Sequence, residues 1–303
     1  MRKYLFCPQP KYGKNQFATV GGHNVHYIEA GSGKPLLLIP GLLSTCRTWN
    51  RVIPFLFKEY MVIAIDYLGV GYSDKPLSGF SYTVQEQTDL VAKLIDKLRI
   101  RGADVMGVSY GGIIALNLTA RYSNLARRII CIEGGAKTKP TKVPWSPMIG
   151  ILGGAVIGDA LIGIIRSGLL ARVLSKLIMG EAWRSMSIKD RREIVAIVAE
   201  ESKTASRVPW YQLSQTLETS KEFPEEAKTI KNPVLYLYGE NSIFRETAEA
   251  NAMFLKSHLP NVTTKCIKDG IHDLQLQKPQ EVANLVLEFL GGPQRQVQLS
   301  FQF

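Results

Sequence analysis

Short runs of consecutive apolar residues alternate along most of this chain with longer stretches whose apolar positions recur every three or four residues. The short runs are Pro35 to Ile39, Tyr60-Met61-Val62-Ile63-Ala64-Ile65-Asp66, Asp104-Val105-Met106-Gly107-Val108, Arg128 to Ile132, Val234 to Tyr238 and Thr263 to Ile267. Val25 to Gly31 adds a strand that ends in a glycine-rich turn. Uninterrupted apolar runs of this length suit strands buried on both faces of a parallel sheet. Between them, Val84 to Leu98 places Val84, Leu90, Val91, Leu94, Ile95 and Leu98 near a 3.6-residue period, as an amphipathic helix does. Ile113–Tyr122, Ala248–Leu259 and Gln280–Leu290 also read as helices, the last stopped by Gly291-Gly292-Pro293. Strands alternating with helices predict an α/β fold, a mostly parallel sheet flanked by helices.

The alternation fails between Ala136 and Ile230. No convincing strand lies there, the pattern is helical, and prolines crowd its edges at Pro140, Pro144, Pro147, Pro209 and Pro224. We read 136–230 as an inserted helical cap on a core formed by 1–135 and 231–293. A polar tail, 294–303, is expected to fray.

The 303 residues are 46% hydrophobic and 21% charged, which supplies a core and argues against disorder. The net charge of +11 turns attention to anionic partners. The basic residues stand singly or in pairs, with no nucleic-acid motif, so no nucleic acid is expected and an anionic lipid surface is the better partner. Cys7, Cys46, Cys131 and Cys266 form no CxxC pair and no zinc spacing, and are expected to be reduced thiols of a cytoplasmic protein. The apolar stretch after Met1-Arg2-Lys3 stops short of the about 7–15 residues a secretory signal needs.

Candidate chemistry begins at Gly107-Val108-Ser109-Tyr110-Gly111, which follows an apolar strand and precedes a helix. In that context a serine sits on a tight strand-to-helix turn, small residues flank it, and the helix N-terminus faces the charge that develops during attack. A glycine-rich turn of a nucleotide-binding fold is the competing reading, but no GxGxxG follows the first strand and no Walker lysine is present.

Three further motifs accompany the elbow. Ile39-Pro40-Gly41-Leu42-Leu43 follows an early strand, Asp66-Tyr67-Leu68-Gly69-Val70-Gly71-Tyr72-Ser73 has the form DxxGxGxS, and Gly270-Ile271-His272 follows the last strand. In order and spacing the set resembles the α/β-hydrolase superfamily over nearly the whole chain. The resemblance implies the α/β-hydrolase fold, Ser109 as nucleophile, and the backbone N–H groups of Leu42 and Tyr110 as the oxyanion hole. Pro40 stands where relatives usually carry a histidine whose role is mainly structural.

A serine hydroxyl needs a base. His23 and His26 belong to an N-terminal hairpin and His258 to a helix, so His272, on the loop after the last strand, is the expected base. The acid is where the chain departs from the resemblance. Relatives usually place an aspartate three residues after the glycine that ends Val234–Tyr238, and here that position is Ser242. Glu133, at the end of the preceding strand, matches an alternative site used by some relatives and is the first expectation. Glu240 from the usual loop, or a site with no acid, remain open. Asp66, Asp269 and Asp273 read as turn and loop formers.

Met148 to Ile165 is almost wholly apolar, and Arg166, Arg172 and Lys176 follow it. Its length would permit a membrane span. A span there would, however, separate the Ser109 half from the His272 half, so a greasy lid is expected. Trp145, Trp183, Trp210 and Tyr211 are candidates for its acyl pocket or membrane rim. The expected function is a serine hydrolase acting on a small lipophilic carboxylic ester through an acyl-enzyme, without cofactor or metal, with peripheral membrane contact through the cap. Haloalkane dehalogenation is set aside because it needs an aspartate nucleophile. The same triad serves C–C bond hydrolases and amidases, and a non-catalytic protein binding a hydrophobic ligand or partner is the reading from another class.

Overall fold

Eight strands form one sheet in the order β1-β2-β4-β3-β5-β6-β7-β8 in the computed structural model, which describes residues 7–135, 146–219 and 228–291. The strands are β1 (Lys14–Val20), β2 (His23–Ala30), β3 (Lys34–Ile39), β4 (Tyr60–Ile65), β5 (Ala103–Val108), β6 (Ala126–Ile132), β7 (Val234–Gly239) and β8 (Val262–Ile267). β2 runs antiparallel to β1 and β4, and every pairing from β4 to β8 is parallel.

The apolar runs form the centre of this sheet because each supplies both faces. In β3, Leu37 and Ile39 join one core cluster while Leu36 and Leu38 join the other. In β4, Ile63 and Ile65 face the first cluster, Val62 and Ala64 the second. Successive side chains of a strand point to opposite faces, so an unbroken apolar run fits only a sheet covered on both sides. β1 carries no such run; only Ala18 and Val20 are buried. Its signal was the turn: Gly21-Gly22, both at positive φ, link Val20 to His23, the two-residue hairpin chemistry that glycine permits.

Helices cover both faces. α1 (Ile53–Leu56), α2 (Val84–Leu98) and α3 (Tyr110–Arg121) belong to the first half of the core. α2 starts where Thr83 Oγ1 accepts the Glu86 N–H, a side-chain N-cap, and stops at Arg99 in the left-handed region. Between β6 and β7 the described residues contain helices and no strand: α4 (Ser146–Gly153), α5 (Ala155–Arg166), α6 (Ala171–Met179), α7 (Ala182–Ser185), α8 (Ile188–Ser202) and α9 (Arg207–Thr219). α10 (Arg245–His258), α11 (Leu274–Gln277) and α12 (Pro279–Phe289) complete the core. The apolar stretch Met148–Ile165 is broken at Gly153-Gly154 into two helices. No helix among the described residues is long and apolar enough to cross a membrane.

Asp66, just past β4, is fully buried and anchors the loops on this edge of the sheet. Its carboxylate accepts the N–H groups of Cys46 at 2.7 Å and Tyr72 at 2.8 Å, and His26 Nδ1 lies 2.7 Å from Oδ2. Burial pushes its pKa up, but the His26 contact and the backbone donors outweigh that and hold it at about 2. Its ionised form therefore stabilises the fold above the ordinary carboxylate range, and that contribution is lost as pH falls through about 2. Asp66→Ala is expected to cost about 3–5 kcal/mol, measured by urea denaturation at neutral pH, because it orphans buried donors.

Candidate active site

Ser109 stands between β5 and α3 with φ 52° and ψ −116°, a conformation L-residues rarely adopt. The glycines around it make room for that turn. A Cβ on Gly107 would lie 2.2 Å from the Gly111 carbonyl, and one on Gly111 would lie 2.2 Å from the Ile39 carbonyl. The Ser109 hydroxyl makes no capping bond to α3, which leaves it available for chemistry. The Ser109 N–H donates to Ile132 O at 2.7 Å, tying the elbow to the last residue of β6.

Glu133 follows Ile132 and is also held at positive φ, 48°. Its side chain is only 1% exposed, and its donors come from the end of β7 and from the loops after β7 and β8. Oε1 accepts the Gly239 N–H at 2.7 Å. Oε2 accepts the Ser242 hydroxyl at 2.6 Å and a bond from His272 Nδ1, also at 2.6 Å. Two strained residues, at the ends of neighbouring strands, thus carry the serine and the carboxylate. Backbone strain of this kind costs on the order of 1–3 kcal/mol per residue and persists only where surrounding contacts impose it.

His272 lies on the loop between β8 and α11, packed edge-to-face against Phe244 at 4.9 Å. The bond from Nδ1 to Glu133 fixes the ring so that Nε2 is the nitrogen left for proton transfer. Burial works against the imidazolium, but the Glu133 hydrogen bond and charge, with the charge of Asp273, prevail and raise the His272 pKa above 6.5. The structure does not bring Glu240 to the histidine; its Oε2 accepts the Asp269 N–H at 3.0 Å. His258 stacks on Phe254 at the end of α10, and His26 belongs to the Asp66 cluster.

Sequence reasoning missed the part played by Ser242. It occupies the position where relatives usually carry the acid and hydrogen-bonds Glu133. No sequence pattern announces this, because the contact joins loops 109 residues apart.

The early glycine lies against the candidate nucleophile: a Cβ on Gly41 would lie 3.7 Å from Ser109 Cβ. After it, Ser44 N–H turns back to Gly41 O at 3.2 Å, and Leu43 adopts φ 60°. Tyr67 braces this loop, donating its hydroxyl proton to Gly41 O at 2.8 Å and accepting the Leu43 N–H at 3.0 Å. Tyr110 opens α3, where the first N–H groups of a helix lack an acceptor within it. Leu42 and Tyr110 thus sit on the two segments that flank Ser109.

The aromatic candidates of the insertion divide. Trp183 is buried among Met179, Ile194, Ile197, Val198, Ile271 and Leu276, so it is core packing and not a membrane rim. Trp210 and Tyr211 pack half-buried against Leu152, Ile162 and Ile165. Trp145 lies outside the described residues.

Among the described residues, His26, Cys46 and Asp66 come close enough for one ion. Asp66 already spends both oxygens on protein donors, and burial raises the Cys46 thiol well above its usual range. The cluster is a structural knot and does not fit a metal.

Comparison with known proteins gives a family model described as the alpha/beta hydrolase fold, matched by residues 34–150. A soluble epoxide hydrolase of a Corynebacterium species is 27% identical over 288 residues, covering 90% of this chain and 96% of that protein. A 2-hydroxymuconate semialdehyde hydrolase of a Pseudomonas species is 34% identical over 134 residues, 43% of this chain and 46% of that protein. The chain matches less than half the length of several curated relatives, 48%, 37% and 46%. The enol-lactonase structure from Burkholderia xenovorans shares the fold with a TM-score of 0.74, at 19% identity, over 91% of this chain and 100% of that one.

Proposed function

We propose that this chain, which has the α/β-hydrolase fold and matches that family's model over residues 34–150, is a serine hydrolase that cleaves a small lipophilic carboxylic ester through an acyl-enzyme. The observation that carries this reading is the contact at 2.6 Å between the buried Glu133 carboxylate and His272, one residue beyond the strand end that anchors the Ser109 elbow. Ser109 Oγ attacks the ester carbonyl and His272 Nε2 takes its proton. The Leu42 and Tyr110 N–H groups bind the oxyanion, and the protonated histidine then delivers the proton to the departing alkoxide. A water activated by the same nitrogen hydrolyses the acyl-enzyme and restores Ser109. No cofactor or metal enters this scheme.

The identity of the nucleophile separates this chain from an epoxide substrate. A serine that opened an epoxide would form an ether, which water does not cleave under these conditions, whereas an acyl-serine is an ester that hydrolyses. An acyl-type substrate therefore closes a catalytic cycle at Ser109. The similarity to the muconate semialdehyde hydrolase supports a second reading, hydrolysis of a C–C bond beside a carbonyl, since a serine triad serves that reaction too. A fluorophosphonate probe and a panel of p-nitrophenyl esters of graded acyl length test the leading reading. Adduct at Ser109 with ester turnover is the expected result. Adduct with turnover only of a dienoate ketone favours C–C cleavage, and folded protein that does not label is a binding protein.

In this reading the helical insertion is a cap, and the protein is a cytoplasmic enzyme that rests on an anionic lipid surface. Val156, Ile157 and Ile164 of α5, Leu169, and Val173 and Leu177 of α6 are exposed. Arg166, Arg172 and Lys176 stand among them, and among the described residues none of the three is in an ion pair. Elsewhere arginines are consumed structurally, as where Arg127 and Arg128 both clasp the buried Asp104. Apolar burial at about 25 cal/mol per Å² supplies the larger part of the binding energy. Each basic residue adds about 1 kcal/mol on an anionic surface. Co-sedimentation with phosphatidylserine-containing vesicles is expected, weakened at least several-fold by Leu169→Ser with Leu177→Ser and by high salt. Equal binding of the double variant and the parent rejects the assignment of this face.

A further inference from the structure

Helix α8 seats the insertion on the core at three places. At its start, Arg51 of the core pairs with Asp190 and, at 3.2 Å, with Glu193. In the middle, Ile194, Ile197 and Val198 pack with Ile271 and Leu276, on either side of His272. At its end, Glu201 reaches the loop that follows Gly41. Glu201 Oε1 accepts from Ser44 Oγ at 2.7 Å, Thr45 N at 2.8 Å and Thr45 Oγ1 at 3.2 Å. The same loop is braced by Tyr67 on its other side. Leu42, whose N–H is the candidate oxyanion donor, therefore lies in a short segment pinned by a core tyrosine and by a carboxylate of the insertion.

We propose that Glu201 is a positioning residue for the oxyanion hole, holding Ser44 and Thr45 so that the Leu42 N–H is aimed only when α8 is seated on the core. This rests on the serine-hydrolase reading of Ser109. Three donors converging on one oxygen are more than helix packing requires, and a carboxylate is an expensive group to place there. Burial pushes the Glu201 pKa up, against the Ser44 and Thr45 bonds, to about 7. The charged group facing it from the core is Asp66, which pushes the same way. Tyr67 also faces it, with its pKa driven up by burial and thus neutral. Arg47, on the neighbouring turn, is turned to Pro8 O at 2.5 Å, and on α8 itself Glu200 is paired with Lys203 at 2.5 Å. Hydrogen bonds to an ionised acceptor are about twice as strong as neutral ones, so the loop is held most firmly when Glu201 is charged.

Glu201→Gln keeps an oxygen for the same three donors and removes the charge; Glu201→Ala removes the acceptor. With a p-nitrophenyl ester at pH 8, Glu201→Gln is expected to lower kcat about tenfold with KM little changed, and Glu201→Ala about 10²-fold, the scale of one oxyanion donor. The gap between parent and Glu201→Gln should close as pH falls below about 7, where the parent's carboxylate is also neutral. Thermal stability should separate from activity. The folded state holds the Glu201 proton more tightly than the unfolded chain, so its contribution to stability is present below 4.5 and lost as pH rises through about 7. A glutamine escapes that loss, and the Tm of Glu201→Gln at pH 8 should equal or exceed the parent's. Equal kcat in the two proteins, or a gap that is the same at every pH, overturns the proposal. Fluorophosphonate labelling of the parent is the control: parent that labels at Ser109 confines any failure to Glu201, whereas parent that does not label removes the serine mechanism and this role with it.

Discussion

Ser109→Ala and His272→Ala are each expected to lower ester turnover by about 10⁴-fold or more, with circular dichroism and Tm close to the parent's. The two losses should not multiply in the double variant, because the hydroxyl and the imidazole act as one unit. Activity surviving Ser109→Ala in pure protein would reject the mechanism. The pH profile carries a further expectation with a definite sign. Catalysis needs His272 neutral at the moment of attack. Its pKa is raised by Glu133 and Asp273 over the opposing effect of burial, so the acid limb of kcat/KM should lie above 6.5.

Glu133→Gln is expected to cost about 10³–10⁴-fold in kcat while sparing the fold. An amide oxygen can still accept from His272, but the charge that supports the imidazolium is gone, and the amide's own N–H group can turn the histidine to the wrong tautomer. Ser242→Ala should cost less, about tenfold, and through a different route. The hydroxyl donates to Glu133 Oε2, the same oxygen that receives His272 Nδ1. Without it one lone pair of a buried carboxylate is left unsatisfied, at about 1–3 kcal/mol. The histidine pKa should then move further up, because His272 becomes the principal donor to that oxygen. A steady-state pH profile of Ser242→Ala distinguishes this from simple loss of packing, which would leave the limb where it was. Full activity in Glu133→Gln would remove Glu133 from the site.

The sheet was legible because each central strand is an apolar run feeding two cores, as Leu36 to Ile39 do. The elbow was legible because Ser109 needs Gly107 and Gly111 beside it in sequence. What escaped were features that depend on distant partners or on edges. β1 alternates weakly because only two of its residues are buried. Met148–Ile165 read as one greasy stretch because hydropathy does not register the break that Gly153-Gly154 introduces. Trp183 read as an acyl-pocket or membrane-rim candidate because its packing comes from α8 and from the loop bearing His272, which the sequence around it does not show. The acid was open among Glu133, Glu240 and no acid at all, because the sequence does not say which loop carboxylate the fold brings to His272. In the fold Glu133, at a strained turn, contacts His272 at 2.6 Å, while Glu240 accepts the Asp269 N–H.

The meeting of Glu133 with Ser242 also bears on how such sites change over evolutionary time. The usual acid position after β7, held by Ser242, and the Glu133 position after β6 are not two separate sites. Their side chains touch at 2.6 Å beside a single His272. A lineage can therefore transfer the carboxylate from one strand to its neighbour while serine, histidine and the loop that carries it stay in place. The intermediate holding both acids is penalised but tolerable, because two adjacent carboxylates can share one proton. With a carboxylate at Glu133, it and Ser109 both precede the helical insertion in the chain.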